Sequence, residues 1–240
     1  DRRRGVCCGG AGCAGVVTHD GEAPIAVALI AKDAERTIER ALASVAWADD
    51  IVVILDDRTT DESAAIAARC GARVLHQAWQ GHVAQKNIAL AAARHDWVLA
   101  LDADEEVSPE LRAALLAWRT RGAGGGDPAV TGYVVARRSH YLGRWIRHGG
   151  WYPDAKLRFV DRRRARWAGL DPHDGLVTDG TTGRLRGDLL HDTYASVADH
   201  LARSESYSTI AAAALFGVGR RAAWSDILVR PPWRFVQGYI

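Results

Sequence analysis

A run of apolar residues that ends in acidic side chains is the segment of this chain best suited to chemistry. Residues 98–101 are apolar, and carboxylates follow at Asp102, Asp104, Glu105 and Glu106. In an extended chain Asp102 and Asp104 point the same way, and they repel each other unless a cation lies between them. Hard oxygen ligands suit Mg²⁺ or Mn²⁺. The spacing predicts a divalent metal that carries a diphosphate, although an isolated Asp-x-Asp is also typical of a solvated turn.

The composition is that of an ordinary globular protein. The chain has 240 residues, of which 48% are hydrophobic and 25% charged, enough to bury a full core in one domain. The net charge of +2 indicates no strong overall field, and no apolar run reaches 18 residues, so no membrane span is expected. The four cysteines have neither metal-finger spacing nor a disulfide pattern, which predicts a reducing cytoplasmic setting. Residues 1–23 are rich in Gly, Arg and Cys and are predicted to be disordered.

Strand-like and helix-like segments alternate in the first half of the chain. We predict strands over 25–31, 50–56, 72–76 and 97–101, and helices over 36–46, 61–70, 84–94 and 109–119. This alternation predicts right-handed βαβ units and a parallel sheet. After a Gly-rich turn at 121–128, further strands are expected over 132–138 and 155–160, and a helix over 196–216.

Polar side chains gather where the predicted strands end. Parallel sheets bind ligands beyond the carboxyl ends of their strands. The residues at these ends are Lys32, Asp33, Asp56, Asp57, Asp102 and Asp104. Their coincidence predicts a nucleotide-type site. Since no Gly-x-Gly-x-x-Gly follows the first strand and no Walker loop exists, a dinucleotide-binding Rossmann domain and a P-loop ATPase are both disfavoured.

An ordered series of short motifs resembles the family 2 glycosyltransferases, and most of all their lipopolysaccharide-core β-glucosyltransferase branch. The resemblance covers roughly residues 24–240. Its motifs are Ile30-Ala-Lys-Asp-Ala-Glu35, Trp47-Ala-Asp-Asp-Ile-Val-Val53, Asp56-Asp-Arg-Thr-Thr-Asp61, Ala84-Gln-Lys-Asn87, Leu101-Asp-Ala-Asp-Glu105, Arg147-His-Gly-Gly-Trp-Tyr-Pro-Asp154 and Leu190-His-Asp-Thr-Tyr194. The chain departs from the usual family pattern at three places. It carries Asp33 where the family usually has Asn, Asp57-Arg58 where Ser-Gly is common, and His173-Asp174 where His-Glu is usual.

The resemblance implies an α/β GT-A fold, a mostly parallel, Rossmann-like sheet flanked by helices, with a C-terminal acceptor-side subregion. It also implies a nucleotide-sugar donor, with a UDP-sugar preferred, a divalent metal and inversion at the anomeric carbon. The expected metal ligands are Asp104, Asp102 and His191. The expected nucleotide-sugar-binding residues are Lys32, Asp33, Glu35, Asp56, Lys86, Asn87 and Asp102.

The general base must be a carboxylate or a histidine on the acceptor side. Asp174 is the first candidate, because the family carries an acid after His at this point, and Asp154 is its rival. The acceptor is expected to contact Arg147, His148, Trp151 and Tyr152. The implied halves are a nucleotide-sugar-binding half at 24–128 and an acceptor half at 129–229, followed by the start of a membrane-proximal segment at 230–240.

Residues 137–166 hold ten Arg or Lys side chains against two acidic ones, with aromatic residues between them. Arginine suits phosphate, and aromatic faces stack on sugars, so this stretch predicts a phosphorylated glycolipid acceptor. Nucleic acid is disfavoured because no nucleic-acid-binding module is present. The Arg- and Trp-containing segment 230–240 is typical of a membrane interface, so we expect peripheral contact with an anionic membrane at the inner face of the cytoplasmic membrane.

The expected reaction is transfer of a hexose, with glucose preferred, to a lipid-linked core saccharide such as the lipopolysaccharide inner core. The nearest alternative keeps the fold but uses another glycan or a polyprenyl phosphate as acceptor. A sugar-nucleotide nucleotidyltransferase would need a Gly-rich loop near the first strand, where residues 31–35 offer none. A catalytically inactive, glycan-binding domain would have lost site acids, yet Asp56, Asp102, Asp104 and Asp174 all remain.

Overall fold

The structure is a computed structural model that describes residues 22–121, 129–148, 150–171, 173–194 and 196–237. Almost all of the N-terminal segment and of the Gly-rich turn lies outside the described residues. The first half of the chain contains β1 (Ile25–Ala31), α1 (Ile38–Ser44), β2 (Asp50–Asp56), α2 (Ser63–Arg69), β3 (Arg73–Gln77), α3 (His82–Ala92), β4 (Trp97–Asp102), β5 (Glu105–Val107) and α4 (Pro109–Arg121).

The second half is richer in strands than in helices. It contains β6 (Val130–Tyr141), β7 (Arg144–Trp145), β8 (Asp154–Asp161), β9 (Ala165–Leu170), β10 (His173–Thr178), β11 (Thr181–Tyr194), α5 (Val197–Gly217), α6 (Trp224–Leu228) and α7 (Arg230–Gln237). Within the described residues, no helix is both long and apolar enough to cross a bilayer.

One sheet joins the two halves, with strand order β3-β2-β1-β4-β8-β6-β11-β5 and β7 paired to β6. Strands β1 to β4 pair in parallel, β8 runs antiparallel between β4 and β6, and β11 is parallel to β6. Strands β9 and β10 form a separate antiparallel hairpin. The predicted α/β fold with a mostly parallel, helix-flanked sheet is confirmed.

The central strands form because apolar residues fill both of their faces. In β1, Val27 and Leu29 pack into the cluster that buries α1, α2 and α4. The alternate residues Ala26 and Ala28 pack into a second cluster, together with α3 and the β9–β10 hairpin. Burial on both faces leaves the polar strand ends as the part of the sheet that can bind a ligand.

The acidic segment after β4 does not stay extended. β4 ends at Asp102, residues 103–104 form a turn, and β5 begins at Glu105. The expectation that Asp102 and Asp104 point the same way along an extended chain is therefore wrong, because β5 must reverse direction to pair antiparallel with β11. The two carboxylates consequently meet different partners.

Candidate functional site

The turn that carries Asp104 is joined to the end of β11. The backbone N–H of Asp192 donates to the carbonyl of Asp104 at 3.1 Å, and His191 pairs in register with Glu105. As a result Asp104 Oδ2 lies 3.4 Å from His191 Nε2. Burial lowers the pKa of His191, but Asp104 and Glu105 outweigh it, so that its pKa is raised. Two of the three predicted metal ligands are thus neighbours.

Asp102 is surrounded by cations instead. Its Oδ2 accepts from Arg158 Nη2 at 2.8 Å, and its Oδ1 lies 3.2 Å from Lys86 Nζ. Burial raises the pKa of Asp102, but Arg158 and Lys86 outweigh this and hold the pKa well below its usual value. Among the described residues, no group of three or more His, Cys, Asp or Glu side chains is arranged to hold a metal.

Lys86 links Asp102 to Asp174. Its Nζ lies 2.9 Å from Asp174 Oδ2, and the Asp174 side chain is only 8% exposed. The ammonium also lies 4.3 Å from the centre of the Trp167 ring. Burial lowers the pKa of Lys86, but the charges of Asp102 and Asp174 outweigh it and the pKa is raised. A charged Lys86 therefore holds two carboxylates that are 72 positions apart in the sequence.

Helix α3 is fixed against the β9–β10 hairpin at two points, which determines where Lys86 lies. Asp171 caps its first turn by accepting from the backbone N–H of His82 at 2.9 Å and of Val83 at 3.2 Å. The amide of Asn87 accepts from the N–H of Trp167 at 2.9 Å and donates to its carbonyl at 3.0 Å. Asn87, predicted from sequence to bind nucleotide, has its amide engaged with backbone in this structure.

An alternating row of charges continues from Asp102 to the start of β8. Arg158 Nη2 also contacts Glu105 Oε1 at 3.0 Å, and Glu105 is fully buried. Arg137 follows, 3.5 Å from Glu105 and 2.6 Å from Asp154. The buried Nε and Nη1 of Arg158 have no hydrogen-bond partner among the described residues. The guanidinium of Arg158 thus uses Nη2 alone for its hydrogen bonds to the two carboxylates.

Asp154 is the end of this row. Besides Arg137, it contacts Lys156 Nζ at 3.0 Å. Burial raises the pKa of Asp154, but Arg137 and Lys156 outweigh it, so that the pKa is lowered. The sequence reasoning missed Arg137, Arg158 and Glu105 as site residues; Glu105 lies in the acidic run, but nothing in the sequence indicated which arginines would pair with it.

The nucleotide-side residues predicted on β1 and β2 lie in two adjoining loops. Asp56 is almost fully buried, and its side-chain hydrogen bonds to Arg58, at 3.0 and 2.7 Å, lower its pKa. Lys32 lies close enough to lower it further. Asp33 accepts from the N–H of Thr60 at 2.9 Å, and Glu35 accepts from that of Glu62 at 3.3 Å.

The predicted acceptor residues lie in the loop between β7 and β8. The hydroxyl of Tyr152 donates to Asp188 Oδ1 at 3.1 Å, and the ring of Trp151 lies 5.8 Å from that of Tyr141. Arg147 and His148 are exposed in the same loop. Of these four residues, Trp151 and Tyr152 come closest in sequence to Asp154, the first residue of β8.

Much of the basic charge in 137–166 is already paired, which alters its interpretation as a phosphate-recognition surface. Arg138 contacts Asp188 at 3.3 Å, Arg163 contacts Asp161 at 2.6 Å, and Arg164 contacts Asp179 at 2.7 Å. Arg162 donates to backbone carbonyls. The count of charges within this stretch overstates its free positive charge, because acids from elsewhere in the chain, such as Asp188 and Asp179, also pair with its arginines.

Comparison with known proteins identifies relatives of this fold. The family model described as Glycosyl transferase family 2 matches residues 26–172. The lipopolysaccharide core biosynthesis glycosyltransferase LpsC of Rhizobium meliloti is 26% identical over 230 residues, covering 90% of this chain and 80% of the relative. An uncharacterized glycosyltransferase of Rickettsia conorii is 41% identical over 88 residues, 37% of this chain and 31% of its own length.

Solved structures share the same architecture. Glucosyl-3-phosphoglycerate synthase from Mycobacterium tuberculosis, in complex with Mn²⁺, UDP and glucosyl-3-phosphoglycerate, matches with a TM-score of 0.53 and 18% identity over 85% of this chain and 82% of that chain. TarS of S. aureus, in complex with UDP-GlcNAc, matches with a TM-score of 0.52 and 14% identity over 72% of this chain and 59% of that chain. At these identities the likeness shows the fold alone.

Proposed function

The chain belongs to glycosyl transferase family 2, and on that premise we propose that it transfers a hexose, with glucose preferred, from a UDP-sugar to a lipid-linked core saccharide. Transfer inverts the anomeric carbon. The observation that carries this proposal is the Lys86 bridge, in which one buried ammonium binds Asp102 from the donor half and Asp174 from the acceptor half. The bridge lies at the carboxyl-end edge of the sheet, where α/β sheets bind ligands.

Asp174 is the proposed general base. Transfer requires a carboxylate that takes the proton of the acceptor hydroxyl as the sugar bond forms. The contact of its Oδ2 with Lys86 Nζ at 2.9 Å holds this carboxylate beside Asp102, at the strand-end edge where the donor is proposed to bind. Asp154 is the alternative, and it lies outside the Lys86 bridge, in contact with Arg137 at 2.6 Å and with Lys156 at 3.0 Å.

The side chains of Asp104 and His191 fit part of the ligand set of a divalent metal site. A carboxylate and an imidazole suit Mn²⁺, and phosphate oxygens of a donor are hard ligands that suit either Mn²⁺ or Mg²⁺. When bound, the metal supplies neutralisation of the diphosphate charge. Asp102 fits this set less well than the sequence suggested, because Lys86 and Arg158 already occupy its oxygens. We assign it to orienting the donor.

The remaining donor contacts follow from the two loops beside β1 and β2. Asp56 can accept from a base imide or a ribose hydroxyl, and Lys32 offers a cation next to it. Asp33 and Glu35 hold these loops together by accepting from backbone N–H groups. Asn87 serves the donor indirectly, by fixing α3 to Trp167 and thereby positioning Lys86.

A lipid-linked acceptor is supported by the relative named for lipopolysaccharide core biosynthesis and by the C-terminal helices. We assign acceptor contacts to Arg147, His148, Trp151 and Tyr152, and peripheral attachment at the inner face of the cytoplasmic membrane to α5–α7. These helices expose apolar side chains, with Trp224 at 76%, beside arginines that suit anionic lipid. The exposed apolar residues include Leu201, Phe216, Trp224, Leu228 and Trp233, and the arginines after α5 are Arg220, Arg221, Arg230 and Arg234.

A second candidate acceptor is another phosphorylated glycan, because the loop at 147–152 offers aromatic and cationic groups that suit any such molecule. The test is a transfer assay with UDP-glucose and three acceptors: a lipid-linked core saccharide, a polyprenyl phosphate and a soluble glycan. The proposal expects product with the core saccharide only. Product with the polyprenyl phosphate or the soluble glycan instead would move the acceptor assignment to that class.

A further inference from the structure

Helix α5 crosses the metal side of the site and is fixed there by its first turns. Ser196 caps the helix by accepting from the N–H of Asp199 at 3.1 Å. The ring of His200 stacks on that of Tyr194, with centroids 4.2 Å apart, and its Nδ1 lies 3.0 Å from the Tyr141 hydroxyl. These contacts tie the helix to the ends of β6 and β11, so the next turn faces the Asp104 turn.

Arg203 is the cation that α5 brings to this edge. Its Nη1 lies 3.9 Å from Asp104 Oδ2, its Nε donates to Asp199 Oδ1 at 3.1 Å, and its guanidinium lies 5.9 Å from the centre of the Tyr194 ring. Its side chain is 45% exposed. The long contact with Asp104 leaves the guanidinium both near the proposed metal ligand and accessible from solvent.

Tyr207 lies one turn further along α5, and the charges of Asp104 and Arg203 act on its hydroxyl. Burial raises the pKa of its hydroxyl, and Asp104 and Asp102 add to the rise against an opposing effect of Arg203. Residues 203 and 207 are four positions apart and so lie on one face of α5, the face that Arg203 brings to within 3.9 Å of Asp104.

Two other cations of this edge are already shared between carboxylates. Lys86 is shared between Asp102 and Asp174, and Arg158 is shared between Asp102 and Glu105. A donor diphosphate adds negative charge next to Asp104, and that charge grows on the leaving group as the sugar bond breaks. A guanidinium binds phosphate oxygens through two parallel hydrogen bonds, and donors aimed at developing charge accelerate the reaction.

We propose that Arg203 contacts the diphosphate of the nucleotide-sugar donor from α5 and stabilises the leaving nucleoside diphosphate. This inference rests on the proposed function and adds a donor contact that lies outside the segment matched by the family model, which ends at residue 172. Arg203 thereby couples the position of α5 to occupancy of the donor site.

The test is direct binding of UDP in the presence of Mn²⁺, measured by titration calorimetry on wild type, Arg203→Ala and Arg203→Lys. Loss of a charged hydrogen-bonding partner should weaken UDP binding by about tenfold or more in Arg203→Ala. Arg203→Lys should retain part of the UDP affinity, because lysine keeps the positive charge but lacks the planar guanidinium that makes two parallel hydrogen bonds. Arg164→Ala is the matched control, since Arg164 is also a half-exposed arginine whose Nε contacts a carboxylate oxygen.

Unchanged UDP affinity in both Arg203 variants, with melting curves like wild type, would overturn the inference while leaving the proposed function in place. An equal loss in Arg164→Ala would also overturn it, because the effect would then be one of general charge. A wild-type protein that binds no UDP with Mn²⁺ would instead remove the proposed function, and the inference with it.

Discussion

Lys86 Nζ lies 2.9 Å from Asp174 Oδ2, and this ion pair joins α3, in the first half of the chain, to β10 in the second half. Since Lys86 also contacts Asp102, the proposed base and a strand-end carboxylate share one cation. The pair explains how the β9–β10 hairpin, which lies outside the main sheet, is brought to the edge where the donor is proposed to bind.

Asp174→Asn should lower kcat by about 10²–10⁴-fold, because the amide cannot accept the acceptor proton. Donor KM should change little, since the side chain keeps its shape. Steady-state transfer kinetics measure both. Asp154→Asn is the paired variant: a loss of that size there, with Asp174→Asn near wild type, would move the base to Asp154.

Lys86→Met should destabilise the protein by about 3–5 kcal/mol, because it leaves Asp174 buried without its cation and takes one cation from Asp102. Urea unfolding measures this cost. Lys86→Met in an Asp174→Asn background should lower the free energy of unfolding by less, since the buried carboxylate of Asp174 is then absent. Equal costs in the two backgrounds would show that the ion pair contributes nothing specific.

Asp50 allows a stability test away from the site. It accepts from Arg73 at 2.7 and 2.9 Å and from the N–H of Arg94 at 2.9 Å. Burial raises the pKa of Asp50, but these partners outweigh it and the folded-state pKa is lowered. Its stabilisation is thus present above the unfolded-state pKa of about 4 and is lost as the pH falls through the folded-state value.

Asp50→Asn should therefore cost about 3 kcal/mol at pH 7, as expected when one partner of a buried pair is removed. The difference between variant and wild type in urea unfolding should shrink as the pH is lowered below about 4. A difference that stays constant down to pH 3 would contradict an ionic origin for the stabilisation.

The C-terminal helices should bind anionic vesicles. Each arginine near an anionic surface contributes about 1 kcal/mol, and this attraction falls off within a Debye length. Replacing Arg220, Arg221 and Arg234 by Ala together should reduce co-sedimentation with phosphatidylserine vesicles, and added salt should weaken wild-type binding. Arg162, Arg163 and Arg164 form the control set, because local carboxylates and carbonyls already engage them.

Equal binding of wild type to neutral and anionic vesicles, or an equal loss in the control set, would contradict this surface assignment. The enzyme would then fit a soluble acceptor better than a lipid-linked one.

The sequence predicted the central strands well, because β1, β2 and β4 are apolar runs bounded by polar residues. It did not predict β9–β11, whose polar and Gly-containing residues form strands only through their partners. In β11, Gly187 has φ of 92° and leaves no room for a Cβ beside the backbone of Leu111, a constraint that only the packed structure reveals.

The candidate site was predicted as a set of residues but not as a set of contacts. Asp104 with His191 was expected from the resemblance, and the two side chains are adjacent. The partners of Asp102 were not predicted, because Lys86 and Arg158 reach it from a helix and a strand that are distant in sequence. Spacing along a chain could not indicate that a turn would separate Asp102 from Asp104.

Asp104 and His191 are proposed to hold a divalent metal for a nucleotide-sugar donor. Donor hydrolysis over UDP-, GDP- and ADP-sugars, with Mn²⁺ and with EDTA, measures this role in wild type and Asp104→Ala. We expect Mn²⁺-dependent hydrolysis of a UDP-hexose by wild type, its loss in EDTA and in Asp104→Ala, and an unchanged melting temperature of the variant. Full hydrolysis by Asp104→Ala, or by wild type in EDTA, would contradict it.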